Sequence, residues 1–563
     1  MLKRNSEILK RNPILLRRPR MDFWLLVKGA VILAIGFFLL YPFSSLITRS
    51  FFSRREVGFT LYNYNRFFSR PYYVTSLRNS AVVTFSAAIT CTLLGVPMAY
   101  LMTRYNIWCK KAIYVAIILS LMSPPFIGAY SWILLFGRAG AITKFFARLG
   151  IYTPTIYGRN GIVLVFTFHL YPYVYLYVSG AMSGIDRSLE EAGENLGASH
   201  LRRLFTVTFP VVMPSILAGA VMVFMTALAD FGTPMLIGEG YTVLPVLVYN
   251  EYMSEVGGNA NMASALSVII VTCSLMVLLV QKFVVTRRNY IMTALRPPIE
   301  IQLRGFKRAL ATLPLMLVTL IGLLPQITVI VSSFRKTDFV GFVSGFSLDN
   351  YRTIAKRLGY NIFNTYYFSV IAILVIIILG MLISYLLVRK RGKVAGLIDL
   401  MVMFPYVIPG SVLGICLIVA FNRKPVILTG TAAIMIISYV VRKLPYTVRS
   451  GSAFLYQIDP SVEEASISLG VSPMKTFFTV IARLMLPGIL SGAMLSWITC
   501  INELSSSVML YGGRTSTIAV AIYQEVMRMS DGTAAALASI LTLTTVVSLL
   551  ALLRVTKGNV RML

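Results

Sequence analysis

Apolar runs long enough to cross a bilayer alternate with short polar segments along the chain. Residues 29–47 (GAVILAIGFFLLYPFSSLI) and 366–388 (YYFSVIAILVIIILGMLISYLLV) carry no charge, with Lys28 and Arg389 at their edges. A helix needs about 20 such residues to span a membrane. Segments near 23–47, 75–103, 112–136, 161–183, 211–230 and 262–285 fit this pattern in the first half. Segments near 308–333, 364–388, 395–421, 429–448, 485–505 and 533–554 fit it in the second. One such run would suit a buried core helix of a soluble protein, but this many at this length do not. The pattern predicts an all-α integral membrane protein of about 12 transmembrane helices.

Composition agrees. Of the 563 residues, 57% are hydrophobic and 13% charged, against about a quarter charged in a soluble domain. The net charge of +31 raises the question of nucleic acid. The basic residues fall mostly between apolar runs, as membrane topology requires, and form no basic stripe interleaved with aromatics, so no nucleic-acid partner is expected. Cys91, Cys109, Cys273, Cys416 and Cys500 are scattered and form no C-x-x-C pair. Neither a metal knuckle nor a disulfide framework is indicated.

The basic loops also set an orientation. The N-terminal tail, the central linker, Arg389-Lys390-Arg391 and the C-terminal Arg554, Lys557 and Arg561 fall on one side. That side is predicted to be the cytoplasm, with both termini in it. The segment holding Arg49, Arg54, Arg55, Arg66 and Arg70 disagrees, since it falls outside. The basic residues 1–20 precede a long apolar run with no small-residue cleavage site, which reads as a retained first span. The expected organisation is a basic tail at 1–22, a first membrane domain at 23–285, a basic linker at 286–307 (Arg287, Arg288, Arg296, Pro297, Pro298, Arg304, Lys307), a second membrane domain at 308–555 and a tail at 556–563.

The two domains repeat one another. Phe59-Thr60-Leu61-Tyr62-Asn63-Tyr64 recurs as Phe346-Ser347-Leu348-Asp349-Asn350-Tyr351. Asn79, Gly95, Tyr100 and Arg104 recur as Asn364, Gly380, Tyr385 and Arg389, and Pro124 falls opposite Pro409. With an even number of spans each, the six-helix repeats enter the membrane the same way and are related by an axis along its normal. A path for a solute would lie between them.

After the fourth span of each half comes a polar segment. The first reads Glu190-Glu191-Ala192-Gly193-Glu194-Asn195-Leu196-Gly197, then Phe205-Thr206-Val207 and Pro214. The second reads Glu463-Glu464-Ala465-Ser466-Ile467-Ser468-Leu469-Gly470, then Phe478-Thr479-Val480 and Pro487. Asp186 and Asp459 suit N-caps or turns. Gly197 and Gly470 suit a helix end at positive φ, and Pro214 and Pro487 suit the start or a kink of the next span. The result is a helical elbow with exposed acids, suited to dock in a partner's groove. Two solvated amphipathic linkers would be the plainer reading, which does not explain their recurrence at equivalent places.

These segments resemble the coupling loop of ABC importer permeases, whose pattern is Glu-Ala-Ala, three residues, Gly and a run ending in Pro. Gly193 and Ser466 stand in place of the second Ala, and Pro210 of the first copy faces Arg483 in the second. Over nearly the whole chain the sequence is similar to the fused, two-domain permeases of ferric-iron importers. His169-Leu170-Tyr171-Pro172-Tyr173-Val174-Tyr175, Leu444-Pro445-Tyr446-Thr447-Val448-Arg449-Ser450, Asp230-Phe231-Gly232-Thr233-Pro234 and Glu503-Leu504-Ser505-Ser506 support this. The resemblance implies the type I ABC importer permease fold in a bacterial cytoplasmic membrane. It implies coupling residues Glu190, Glu191, Ala192, Gly197, Glu463, Glu464, Ala465 and Gly470, two copies of a cytoplasmic ATPase, and an extracytoplasmic binding protein. Ferric iron rests on the resemblance alone. Relatives carrying thiamine, phosphonates, sugar phosphates or polyamines share much of the pattern.

No G-x-x-x-x-G-K-[ST] occurs; Gly392-Lys393 is followed by Val394. Without a phosphate-cradling loop, the chain is expected to bind no cofactor and to leave ATP hydrolysis to partner subunits. His169 and His200, the two histidines, belong to no ligand cluster; the first reads as structural and the second as exposed. Asp230 and Glu503 fall at equivalent positions toward the outer end of the fifth spans. Charge in a membrane is costly and faces protein or water, so they either line the pathway or its gate, or cap a turn just outside the bilayer. Glu251 and Glu525 are expected in outer loops that meet the binding protein. An ion-coupled secondary transporter also has parallel six-span repeats. The two elbows, and the lack of an obvious proton relay in the spans, separate it from the importer.

Overall fold

The computed structural model describes residues 23–53, 57–254, 258–286, 300–338 and 341–555. The tails at 1–22 and 556–563, Arg54, Arg55 and the linker residues Arg287, Arg288, Arg296, Pro297 and Pro298 lie outside the described residues.

Ten described helices are long and apolar enough to cross a membrane. In the first half they are Phe23–Ser50, Pro71–Arg104, Pro125–Arg148, Arg159–Ser183, His200–Ala229 and Ala260–Val280; in the second, Gly305–Ser333, Gly359–Arg389, Pro473–Ile501 and Asp531–Arg554. Two predicted spans differ from a plain crossing. The one expected at 395–421 is a pair, Lys393–Tyr406 and Gly410–Phe421, bent by 110°. Pro409 has no N–H to continue the ladder and holds the residue before it extended. The same break at Ser123-Pro124 divides 112–136 into Lys110–Met122 and Pro125–Phe136. Counting the bent pair as one span gives eleven. The remaining predicted segment is the 25-residue helix Ala432–Tyr456, whose apolar run is interrupted by Arg442, Lys443 and Arg449. Two short antiparallel hairpins, Arg335–Asp338 with Gly341–Phe346 and Asn422–Arg423 with Val426–Ile427, accompany the helices.

The repeated sequence positions make repeated contacts. Asn63 donates to the carbonyls of Ser50 and Phe52 at 2.9 and 2.8 Å; Asn350 does the same to Ser333 and Arg335 at 3.1 and 2.9 Å. Each fastens the end of a first span. Asn79 donates to the Thr242 carbonyl and Asn364 to that of Ser516, both at 3.0 Å. Where the second span crosses the fourth, glycine brings the backbones together. A Cβ on Gly95 would lie 2.8 Å from Val174, and one on Gly380 would lie 2.7 Å from Thr447. Small residues at such crossings replace the hydrophobic drive that lipid removes.

The halves are interleaved. Trp24 of the first span packs 4.3 Å from the Tyr385 ring and 5.0 Å from that of Phe477, and Phe43 packs on Phe404, all in the second half. In exchange, Leu315 from the second half's first span lies in the apolar cluster of the first half.

Candidate functional site

Each elbow consists of two short helices between the fourth and fifth spans. They are Arg187–Asn195 with His200–Arg203, and Ser461–Ser468 with Pro473–Thr476. Asp186 accepts from the Ser188 N–H at 2.9 Å and Asp459 from the Ser461 N–H at 2.8 Å. That hydrogen bond holds the Asp459 carboxyl below its ordinary pKa. Gly197 and Gly470 take φ of 74° and 83°, a left-handed turn that costs glycine no Cβ clash. The following N–H groups, of Ala198 and Val471, return to the Gly193 and Ser466 carbonyls and close each helix end. Ser199 and Ser472 cap the second short helices. Both elbows then pass through a π turn, Leu204–Thr208 and Phe477–Ile481, so Pro214 and Pro487 lie inside the fifth-span helices rather than at their starts.

The two departures at the second Ala both fasten one short helix to the next. The Arg203 side chain lies across Gly193, where an added Cβ would meet its Cγ at 3.3 Å, and pairs with Glu194. In the second elbow Ser466 Oγ is 2.9 Å from Thr476 Oγ1.

The acids divide. Glu191 pairs with Arg187 at 2.6 Å and is 42% exposed; Glu464 is exposed, as are Ala192 and Ala465. The side chain of Glu190 lies outside the described residues. Its counterpart Glu463 turns inward, accepting from the Tyr385 hydroxyl with Arg389 beside it, and is 12% exposed. In the first half the equivalent tyrosine, Tyr100, lies 2.9 Å from His200 Nε2. A tyrosine of the second span therefore braces each elbow, through different partners. His200 is exposed as expected, and this contact adds a bracing role. The most exposed large apolar side chains of the elbows are Leu196 and Leu469, at 88% and 85%. Sequence reading passed over them; the repeated Leu-Gly pair was the available signal.

A second constellation lies between the halves. Asp230 accepts from the N–H groups of Gly232 and Thr233 at 3.3 and 3.1 Å, and Glu503 from that of Ser506 at 3.1 Å. Both acids thus cap turns. Both also line one cavity of about 200 Å³, with His169 and Tyr173 from the first half and Arg442, Lys443 and Asn502 from the second. Glu503 pairs with Arg442 and, at 2.7 Å, with Lys443 Nζ. These two cations stand in the helix whose apolar run they interrupt. Among the described residues no group of three or more His, Cys, Asp or Glu could hold a metal ion.

Glu251 and Glu525 are not loop residues. They sit in Leu244–Met253 and Ile518–Met527 and are satisfied within the chain. Tyr73 donates to Glu251 at 2.8 Å, and Glu525, 1% exposed, pairs with Arg357 and Arg528. A buried carboxylate needs such partners, so Glu525 does not face an outside protein.

The model of the family described as "Binding-protein-dependent transport system inner membrane component" matches the chain at residues 92–290 and again at 377–557. The ferric transport system permease protein FbpB of Actinobacillus pleuropneumoniae is 28% identical over 527 residues, covering 91% of this chain and 75% of that protein. The Fe(3+)-transport system permease protein FbpB 2 of Haemophilus influenzae is 25% identical over 519 residues, covering 90% and 93%. The spermidine/putrescine transport system permease protein PotB of Haemophilus influenzae is 29% identical but covers 41% of this chain and 83% of itself. With the family matched once in each half, each match containing one elbow, the chain belongs to the binding-protein-dependent transport system inner membrane components, as two permease domains fused in one polypeptide.

Proposed function

We propose that the chain is the membrane subunit of a ferric-iron importer, supplied by an extracytoplasmic binding protein and driven by two separate ATPase subunits. The observation that carries this reading is the pair of elbows, alike in caps, glycine turns and exposed leucines. One ATPase docks under each, on the cytoplasmic side with both termini. The permease domains are 23–285 and 308–555, joined by the linker 286–307. ATP draws the two ATPases together and the elbows move with them. The braces from Tyr100 and Tyr385 pass that motion to the second spans, and the halves rock to open outward. Hydrolysis, which occurs in the partners, resets them. Iron is favoured among cargoes because two relatives named for ferric transport match about nine-tenths of the chain.

The test is radio-iron uptake in cells lacking the gene, with and without its return. Uptake is expected to come back with the wild-type gene and to stay low with Glu191→Gln/Glu464→Gln, although that variant reaches the membrane. Uptake indifferent to the gene, in cells with no other iron system, would remove iron as the cargo and make a phosphorylated organic solute the next candidate.

A further inference from the structure

The repeat symmetry of the chain fails, in charge, at the cavity between the halves. The first-half wall offers His169, Tyr173 and Asp230. The equivalent second-half positions hold Arg442, Tyr446 and Glu503, with Lys443 in place of Leu170. With His169 neutral, the first wall has one negative charge and no cation. The second has two cations against one carboxylate, leaving one positive charge over. Charges inside a membrane protein are costly and mark paths for solutes or ions. Arg442 and Lys443 lie about 15 Å along their helix from its start at Ala432, well within the span.

The backbone adds to the positive side. Both broken third spans restart here. Pro124 and Pro125 line the cavity, and the Arg442 guanidinium lies against Gly410. The half-helices Pro125–Phe136 and Gly410–Phe421 begin at these points. The positive ends of their dipoles favour an anion.

Of the cavity's two carboxylates, Glu503 is taken up by Arg442 and Lys443. That leaves Asp230 beside His169, and among the described residues no group of three or more His, Cys, Asp or Glu could hold a metal ion. A ferric ion is a hard trivalent cation that keeps oxygen ligands around it. Arg442 and Lys443 would repel the bare ion.

We propose that the cargo crosses this cavity as a ferric ion still bound to an anionic oxygen ligand, the ligand facing Arg442 and Lys443 and the metal side facing Asp230. This rests on the ferric reading above and adds the form in which the ion travels.

The importer would be purified through a tag on this chain, with its ATPase, and reconstituted in liposomes. Binding protein would be loaded with radio-iron and with either radiolabelled phosphate or radiolabelled citrate. Iron and one of the two anions are expected to accumulate together at a constant ratio, and which label enters identifies the ligand. Arg442→His, the residue type of the first half, should lower accumulation of both labels by roughly tenfold or more in a complex that still elutes intact with its ATPase. In that variant Lys443 still pairs with Glu503, so no buried carboxylate is left alone. Asp230→Asn, nearly equal in volume, should lower both labels as well. Iron entering while both anion labels stay outside overturns the proposal and leaves the ferric reading standing. So does wild-type accumulation by Arg442→His. Hydrolysis with no iron entering overturns both.

Discussion

The phenol of Tyr385 donates a hydrogen bond to the Glu463 carboxylate, whose other oxygen lies 3.6 Å from Arg389 Nε. The first acid of the second elbow is therefore a strut to the second span, while its neighbour Glu464 faces outward. Glu463→Gln should cost about 1.5–3 kcal/mol of stability, the worth of a hydrogen bond to a charged group. Glu464→Gln should leave the thermal midpoint in detergent unmoved and reduce the ATPase that co-purifies. Equal loss of stability in the two variants would refute this division.

Leu196 and Leu469 protrude from the elbows and serve no packing role within the chain. Leu196→Ser/Leu469→Ser should leave the melting temperature unchanged and weaken ATPase capture by about tenfold, as expected when apolar anchors leave an interface. Undiminished capture would show that the partner grips elsewhere.

Glycine has opposite meanings at two positions in neighbouring spans. An added Cβ at Gly95 would lie 2.8 Å from Val174 and 3.0 Å from the Tyr171 carbonyl, whereas Gly180 has nothing within 4 Å. Gly95→Ala should cost about 1–3 kcal/mol by forcing the helices apart. Gly180→Ala should stabilise by up to ~1 kcal/mol through helix propensity. Thermal melts of the two variants side by side decide the matter.

Glu525 is 1% exposed and paired with two arginines that are themselves half or more exposed. Glu525→Gln should therefore destabilise by about 1–2 kcal/mol, since the released cations can still reach water. Its effect on affinity for the binding protein should be small. A stable variant with weakened binding would restore the docking role expected from sequence.

Interleaved first spans should make the covalent link dispensable once the chain has folded. A protease site placed within 287–299 and then cut should leave the halves eluting together in size exclusion. Separation would mean that contacts such as Trp24 with Tyr385 are too weak to hold them.

Much of the elbow was legible because its determinants are local. An acid before the helix and a Leu-Gly after it act within a turn or two, and the repeat doubled each signal. The third spans were located but not their shape. Pro124 and Pro409 stood out only as a repeated pair within apolar runs expected to cross unbroken, and the 110° bend at the second appears only in the folded chain. Glu463 and Glu464 are adjacent acids with opposite fates, because a helix turns successive side chains about 100° apart and only the first meets Tyr385.

The sequence by itself determined the membrane, most of the spans, the duplication and the elbows. Each follows from consecutive residues or from comparing one half with the other, and the bilayer permits few structures to such a chain. Only the tertiary structure decided that Glu503 meets Arg442, 61 positions away, that Glu525 is spoken for, and that the walls of the cavity differ in charge. Pairing across space depends on helix rotation and on the interleaving of the halves. Neither is written in the period of the hydrophobic pattern, which records how much of a helix is buried and not which charge it meets.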